Sequence, residues 1–328
     1  MDKLRWGILS TARINRRIIP ALKASRRNQL TAVASRSLEN ARQFARQWDI
    51  PRSYGSYDVL LEDSSIDVIY IPLPNHLHVE WTLRALQAGK HVLCEKPIAL
   101  SPEDVNLIQN AAGQKKLVVM EAFMYRHHPQ TLKVREIIAS GELGEIHLMH
   151  GSFSFLLERP DDVRWVPEYG GGSLWDLGCY PVSYCRMIMG TPPTEVCGWQ
   201  MLSASGVDLV FAGTLRYSGG ALAQISSSFA VQTYTGFEIH GSHASLLIPT
   251  PFNPQGKSHI ILQCQGQKHQ FEFKVKDLYL GEIENMADAI LDGIPPRIDL
   301  QESKQNITTL KALYTSAGQN TAIRLSSE

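Results

Sequence analysis

The sequence predicts an α/β chain in which a doubly wound parallel sheet is followed by an α+β domain built on a large, mostly antiparallel sheet. Three observations predict it. Between residues 4 and 122, short β-rich runs alternate with helix-like stretches, the order of repeated βαβ units. After a helical stretch at 129–140 the strand-like runs lengthen and follow one another directly, separated by turns such as Ser218-Gly219-Gly220. Helical periodicity returns only at 280–291 and 302–316, enough to cover one face of the second sheet.

In chain order, the first domain's strands are expected at 4–9, 30–35, 67–71, 91–94 and 117–121. The second domain's are expected at 146–156, 194–201, 209–217, 221–229, 236–240, 244–248, 260–263 and 269–273. The expected division is 1–122 for nucleotide binding and 123–328 for substrate binding and oligomerisation. A second sheet with one bare face predicts self-association, most simply as a homodimer.

A chain of 328 residues with 44% hydrophobic content can bury a sizeable core, which excludes a disordered or fibrous protein. Lys and Arg number 32, as do Asp and Glu, so no net field favours nucleic acid or an anionic membrane. Cys94, Cys179, Cys185, Cys197 and Cys264 are odd in number and never in a CxxC spacing, which argues against a disulfide framework and a zinc ribbon. The start MDKLRWGILST lacks the apolar core of a signal peptide, and no run is apolar enough to span a bilayer. A soluble, cytoplasmic protein is expected.

In a doubly wound sheet a dinucleotide lies across the carboxyl ends of the strands, its pyrophosphate at the first helix N-terminus. The first turn runs Ser10-Thr11-Ala12-Arg13-Ile14-Asn15, and Ser10, Ala12 and Asn15 stand where the GxGxxG pattern has glycines. Ser10 and Ala12 are small enough for close backbone approach, while Asn15 leaves helix-to-sheet packing open. This turn alone fits either a nucleotide site, and hence a Rossmann domain, or a plain βα connection. The second strand ends Ser35-Arg36-Ser37, with no acid for a ribose hydroxyl. Arg36 with flanking hydroxyls suits a 2′-phosphate, although a solvated surface arginine would read the same way. If a dinucleotide binds here, this strand end favours NADP(H) over NAD(H).

Two further segments lie at the cleft edge of the sheet: Leu73-Pro74-Asn75-His76-Leu77-His78 after the third predicted strand, and Glu95-Lys96-Pro97 after the fourth. With Gly171-Gly172-Ser173-Leu174-Trp175-Asp176-Leu177-Gly178-Cys179-Tyr180 downstream, they closely resemble the glucose-fructose oxidoreductase and inositol dehydrogenase family. The resemblance spans nearly the whole chain. Tyr180, where inositol-type enzymes carry His, is similar to the branch of dihydrodiol and xylose dehydrogenases and keto-sugar reductases, as is the segment 120–129. The glycine-free first turn departs from the pattern.

The resemblance implies an NADP(H)-dependent oxidoreductase acting on a sugar, polyol or trans-diol. Oxidising an alcohol needs a hydride acceptor at carbon and a base at the hydroxyl. Lys96 and Tyr180 are the expected pair, since an ammonium near a phenol lowers its pKa from about 10. Asp176, four residues before Tyr180 on an expected helix, would share its face and bind a sugar hydroxyl or orient Lys96. The loop 158–172 is expected to be flexible and to close over ligands. By resemblance its Arg164 and Trp165 approach cofactor or substrate, and Tyr279 reaches the cofactor.

His76 with His78, and His127 with His128, lack the i, i+4 spacing of a helical metal pair, so no metal is expected. His78 is assigned to the cofactor cleft, and His127 and His128 to a helix start or the surface. A keto-nucleotide-sugar reductase would use the same residues, and a non-catalytic NADP sensor would retain the cofactor domain without the chemistry.

Overall fold

The computed structural model describes residues 3–325. The chain forms two compact units, one comprising residues up to His127 together with Asp277–Lys304, the other His128–Lys276 with the chain from Gln305 onward. The first unit therefore takes back a late stretch of the chain.

The first unit alternates strand and helix: β1 (Leu4–Leu9), α1 (Asn15–Ala24), β2 (Asn28–Ala34), α2 (Leu38–Trp48), β3 (Arg52–Tyr54), α3 (Tyr57–Leu61), β4 (Val68–Ile71), α4 (His78–Gln87), β5 (His91–Glu95), α5 (Pro102–Lys115) and β6 (Val119–Ala122). All neighbours are parallel, in the order β3-β2-β1-β4-β5-β6. Strand order reverses at β1/β4, the crevice where doubly wound folds bind ligands. The five predicted strands are all present. β3 was not expected, because three half-buried residues leave no periodicity to detect. Every residue of β4 is buried, as helices on both faces require. Local chemistry agrees with the helix starts, since Ser37 accepts from the Asn40 amide and Ser101, before Pro102, from the Asp104 amide.

The second unit contains α6 (Pro129–Ala139), β7 (Ile146–Ser154), α7 (Cys179–Met189), β8 (Glu195–Leu202), β9 (Asp208–Arg216), β10 (Leu222–Ser228), β11 (Tyr234–Gly241), β12 (Ala244–Ile248), β13 (Gly256–Cys264) and β14 (Gln267–Val275). With the short closing strand at Ile323–Arg324 they make a nine-stranded sheet in which only β7 and β10 pair in parallel. One face is buried under helices. On it, a Cβ added to Gly151 would lie 2.7 Å from the Phe237 ring and 2.8 Å from Pro181 of α7, so sheet and helix meet there only because the residue is glycine. The opposite face exposes Trp199, Met201, Leu222 and Tyr234.

The chain then continues as α8 (Leu280–Leu291) and α9 (Leu300–Gln319). Ile283, Met286 and Ala287 of α8 are fully buried, and Arg27 reaches Asp288 at 2.6 Å and Asp292 at 2.5 Å. At the start of α9, Glu302 forms an ion pair with Arg126, a guanidinium only 3% exposed. Among the described residues no helix is long and apolar enough to cross a membrane.

Candidate active site

In the first unit, the turn after β1 is built by side chains in place of glycines. Ser10 sits at φ 79°, the left-handed conformation that the fingerprint reserves for glycine. Its Oγ accepts from the Ala12 amide at 3.2 Å and donates to the Pro72 carbonyl at 3.4 Å. Asn15, fully buried, donates from Nδ2 to the Ser10 carbonyl at 2.9 Å. The residue that left helix packing open is thus the one that pins the turn. Thr11, Ala12 and Ile14 are half-buried and Arg13 is exposed. No acid occupies the first turn of α1, which keeps that helix end attractive to phosphate. At the end of β2, Ser35 is buried and receives the Ser37 amide on its hydroxyl, while Arg36 is exposed. This donor set fits a dinucleotide that carries an additional phosphate.

His78 does not present its ring to a ligand. It is fully buried, with Nδ1 2.7 Å from the Pro97 carbonyl and Nε2 2.7 Å from the Leu73 carbonyl, and burial pulls its pKa down to about 4. Its place in the cleft is corrected to that of a tie between the Leu73-Pro74-Asn75 segment and the loop after β5. Glu95 ends β5 and Lys96 opens that loop, both half-buried. Tyr70 donates to Glu95 Oε1 at 2.6 Å. Glu121 lies beneath the loop, accepting the Ile98 amide at 3.0 Å. Burial pushes its carboxyl up to about 7, opposed by Ser303, the Ile98 amide and the Lys96 charge. Tyr279 is also buried, its phenol raised by burial and by the acids Glu95 and Glu282. Glu282 is itself fully buried, and burial and the charge of Glu95 push its carboxyl well above the ordinary range. Glu121 and Glu282 escaped the sequence reading. For Glu121 the trace is an acid inside an otherwise apolar run, Val119-Met120-Glu121-Ala122-Phe123; Glu282, in Gly281-Glu282-Ile283-Glu284, leaves no such trace.

In the second unit, the glycine-rich segment is packed rather than loose. Gly172 has φ 111°, and a Cβ there would lie 2.0 Å from Asp208 Oδ1. A Cβ at Gly171 would lie 2.5 Å from the Arg164 carbonyl oxygen. Buried Asp208 accepts from Ser173 Oγ (2.7 Å), the Leu174 amide (2.7 Å) and Tyr314 OH (2.6 Å), so the segment wraps one carboxylate. The expected flexible lid is corrected accordingly. Residues Val163–Trp165 and Pro167–Tyr169 form 3₁₀ turns. Arg164 bonds to Asp176 at 2.6 Å and to Asp162 at 3.0 Å, which raises its pKa, and the Trp165 indole donates to the Arg159 carbonyl at 2.8 Å.

Asp176 is therefore engaged by Arg164. The expected same-face spacing with Tyr180 also changes, because Leu174–Gly178 is a π-helical turn and α7 begins only at Cys179. Such wide turns recur at functional sites. Tyr180 is 6% exposed and packs edge-on against Phe153 at 5.3 Å and, tilted, against Phe252 at 5.7 Å. His127 and His128 are buried rather than superficial. His128 caps α6 by accepting the Gln130 amide at 3.0 Å, and His127 lies beside Arg297.

Comparison with known proteins follows the same two-part division. Residues 4–123 match the family model described as oxidoreductase family, NAD-binding Rossmann fold, and residues 131–247 match the GFO/IDH/MocA C-terminal domain. The chain is 37% identical to D-xylose 1-dehydrogenase (NADP(+)) 2 of Haloferax volcanii over 98% of this chain and 100% of that protein. It is 35% identical to trans-1,2-dihydrobenzene-1,2-diol dehydrogenase of Xenopus laevis over 75% of each chain. Among solved structures, a 3-ketoreductase from Actinomadura kijaniata in complex with NADP and TDP-benzene superposes with a TM-score of 0.90, at 30% identity over 96% of this chain and 98% of that one.

Proposed function

The chain belongs to the GFO/IDH/MocA oxidoreductase family, and from that membership we propose that it uses NADP(H) to interconvert CH–OH and C=O on a sugar, polyol or trans-diol. The observation that carries the cofactor assignment is exposed Arg36 at the end of β2, flanked by Ser35 and Ser37 and with no acid to meet a ribose hydroxyl. The xylose dehydrogenase similar over the full chain is named for NADP(+). When bound, the dinucleotide supplies or takes the hydride. The first unit holds it through Ser10–Ile14, Ser35–Arg36, Leu73–Asn75, Glu95 and Tyr279. The second unit binds substrate and oligomerises.

Tyr180 gives a proton to the carbonyl oxygen in reduction and takes one from the hydroxyl in oxidation. Lys96 holds that oxygen and favours the phenolate. Asp176 acts through Arg164, fixing the wall around Tyr180. Glu121 holds the backbone just after Lys96 at Ile98.

Arg36→Ala is expected to weaken NADPH binding by about 10- to 100-fold, the effect of removing a charge-assisted contact, and to leave NADH within about twofold. Fluorescence titration of both dinucleotides reads this. An unchanged preference would return Arg36 to the solvent. A keto-nucleotide-sugar is a second substrate class, favoured by the similarity to a reductase solved with TDP-benzene. Turnover of free sugars without calorimetric binding of a nucleotide sugar would remove it.

A cytoplasmic homodimer completes the proposal. Five unbridged cysteines suit a reducing compartment. Trp199 and Tyr234, 58% and 59% exposed on the open sheet face, suit cover by a second copy. Sedimentation at micromolar concentration is expected to give twice the chain mass, and Trp199→Glu to give the monomer. A monomeric wild type would refute the dimer.

A further inference from the structure

The open face of the nine-stranded sheet gathers three metal-ligating side chains that are remote in sequence. His150 on β7 and Glu238 on β11 are direct cross-strand partners, and His240 lies two residues beyond Glu238, on the same face. Their ligand atoms all lie within 4.8 Å of one another. His240 Nε2 is 3.2 Å from Glu238 Oε2, and His150 Nδ1 is 3.9 Å from that same oxygen. The imidazole rings of His150 and His240 meet edge-on at 5.6 Å.

From this arrangement we propose that His150, Glu238 and His240 bind a divalent transition cation of the zinc, nickel or cobalt class. Two imidazoles and one carboxylate are the ligands such ions select. A tetrahedral ion with bonds of about 2.0–2.2 Å separates its ligand atoms by about 3.4 Å. The two histidine–carboxylate separations, 3.2 and 3.9 Å, bracket that spacing, and the two imidazoles, within 4.8 Å of each other, close to it by side-chain rotation. The partner that a ligating histidine needs is already present, since His240 Nδ1 is 2.9 Å from Ser245 Oγ. In the Nε2–H tautomer His240 donates to Glu238 Oε2 and accepts from Ser245; a cation would replace that Nε2 proton, with Nδ1–H then donating to the Ser245 hydroxyl. His150 and Glu238 border a shallow cavity of about 420 Å³ that also touches Trp199, Gln224 and Tyr234, so the site lies on the face proposed above to meet a second copy, and the remaining coordination positions fall to water held there or to that copy.

The site is separate from the oxidoreductase chemistry. Tyr180 belongs to the helix packed on the buried face of this sheet, whereas the triad is on the open face. It also revises the expectation of no metal. That expectation weighed histidines adjacent in sequence, whereas strand pairing brings position 150 to position 238.

The test is calorimetric titration of Zn²⁺ into the tag-free, chelator-stripped full chain, with Co²⁺ spectra as a second readout. One ion per chain is expected, with a cobalt spectrum lacking thiolate charge transfer. His150→Ala and His240→Ala each remove a ligand and are expected to weaken binding by more than about 100-fold, whereas Ser245→Ala, which removes only an outer partner, is expected to weaken it by about tenfold. All three should keep the wild-type circular dichroism and NADPH affinity. Absence of stoichiometric binding would overturn the site. So would equal affinity in the histidine variants, or a thiolate band placing the ion on the cysteines.

Discussion

Tyr180→Phe is expected to lower kcat by about 10²- to 10⁴-fold, the worth of a positioned acid–base group, and to leave NADPH affinity within about twofold. The substitution removes one oxygen and keeps the ring that packs against Phe153 and Phe252, so the surrounding core is preserved. The dinucleotide contacts assigned to Ser10–Ile14 and Arg36 belong to the other unit and are untouched. Lys96→Ala should cost a similar factor. Groups that serve one proton transfer lose activity non-additively, so the double variant should be little worse than the more damaged single. Steady-state kinetics on a sugar and diol panel, with NADPH titration of each variant, reads all three. A rate for Tyr180→Phe within threefold of wild type would assign the proton to another group. Additive losses would mean that Lys96 and Tyr180 do not act together.

The largest expected loss of stability comes from Glu302→Ala. Arg126 is 3% exposed and Glu302 keeps 16% of its side-chain surface, so removing the acid leaves the guanidinium in a nearly dry site without that counter-charge, beside the neutral Tyr125 phenol. Breaking a buried pair from one side costs about 3–5 kcal/mol, whereas replacing both partners by apolar residues of similar volume is often neutral. The arginine does not escape by losing its proton, because a guanidinium keeps its charge in proteins. Urea unfolding should therefore show Glu302→Ala strongly destabilised and Arg126→Met/Glu302→Leu recovering most of the difference. A loss below about 1 kcal/mol in the single variant is what a solvated surface pair would show.

Much of the first unit could be read from the chain. Apolar β-rich runs buried on both faces differ from amphipathic helices in both period and composition, and strand ends such as Leu4–Leu9 follow directly. β3 escaped because pairing with β2, rather than its own three residues, makes it a strand. The site was legible where chemistry is written in adjacent letters, as in Ser35-Arg36-Ser37 and Glu95-Lys96-Pro97. It was not legible where tertiary packing decides. Three glycines suggest mobility until Asp208, some 35 positions away, is seen inside the turn they make. Asp176 suggests a sugar ligand until Arg164 is found on it. Asn15 breaks a motif in sequence and restores it in space by bonding Ser10. Glu121, Glu282 and the triad of His150, Glu238 and His240 depend on which strands and helices become neighbours, and single-chain periodicity does not encode that.

The return of α8 to the first unit bears on how this protein is made. Domains emerging from a ribosome generally fold as units, the N-terminal one first. Here the parallel sheet is complete once β6 has been synthesised, yet the apolar face that receives Ile283, Met286 and Ala287 stays uncovered, and Arg27 stays without Asp288 and Asp292. Synthesis must pass through all of residues 128–276 before that cover arrives. Vectorial folding of the first unit is thus held incomplete while the second is threaded out. The exposed patch left in that interval is where a nascent-chain chaperone would engage.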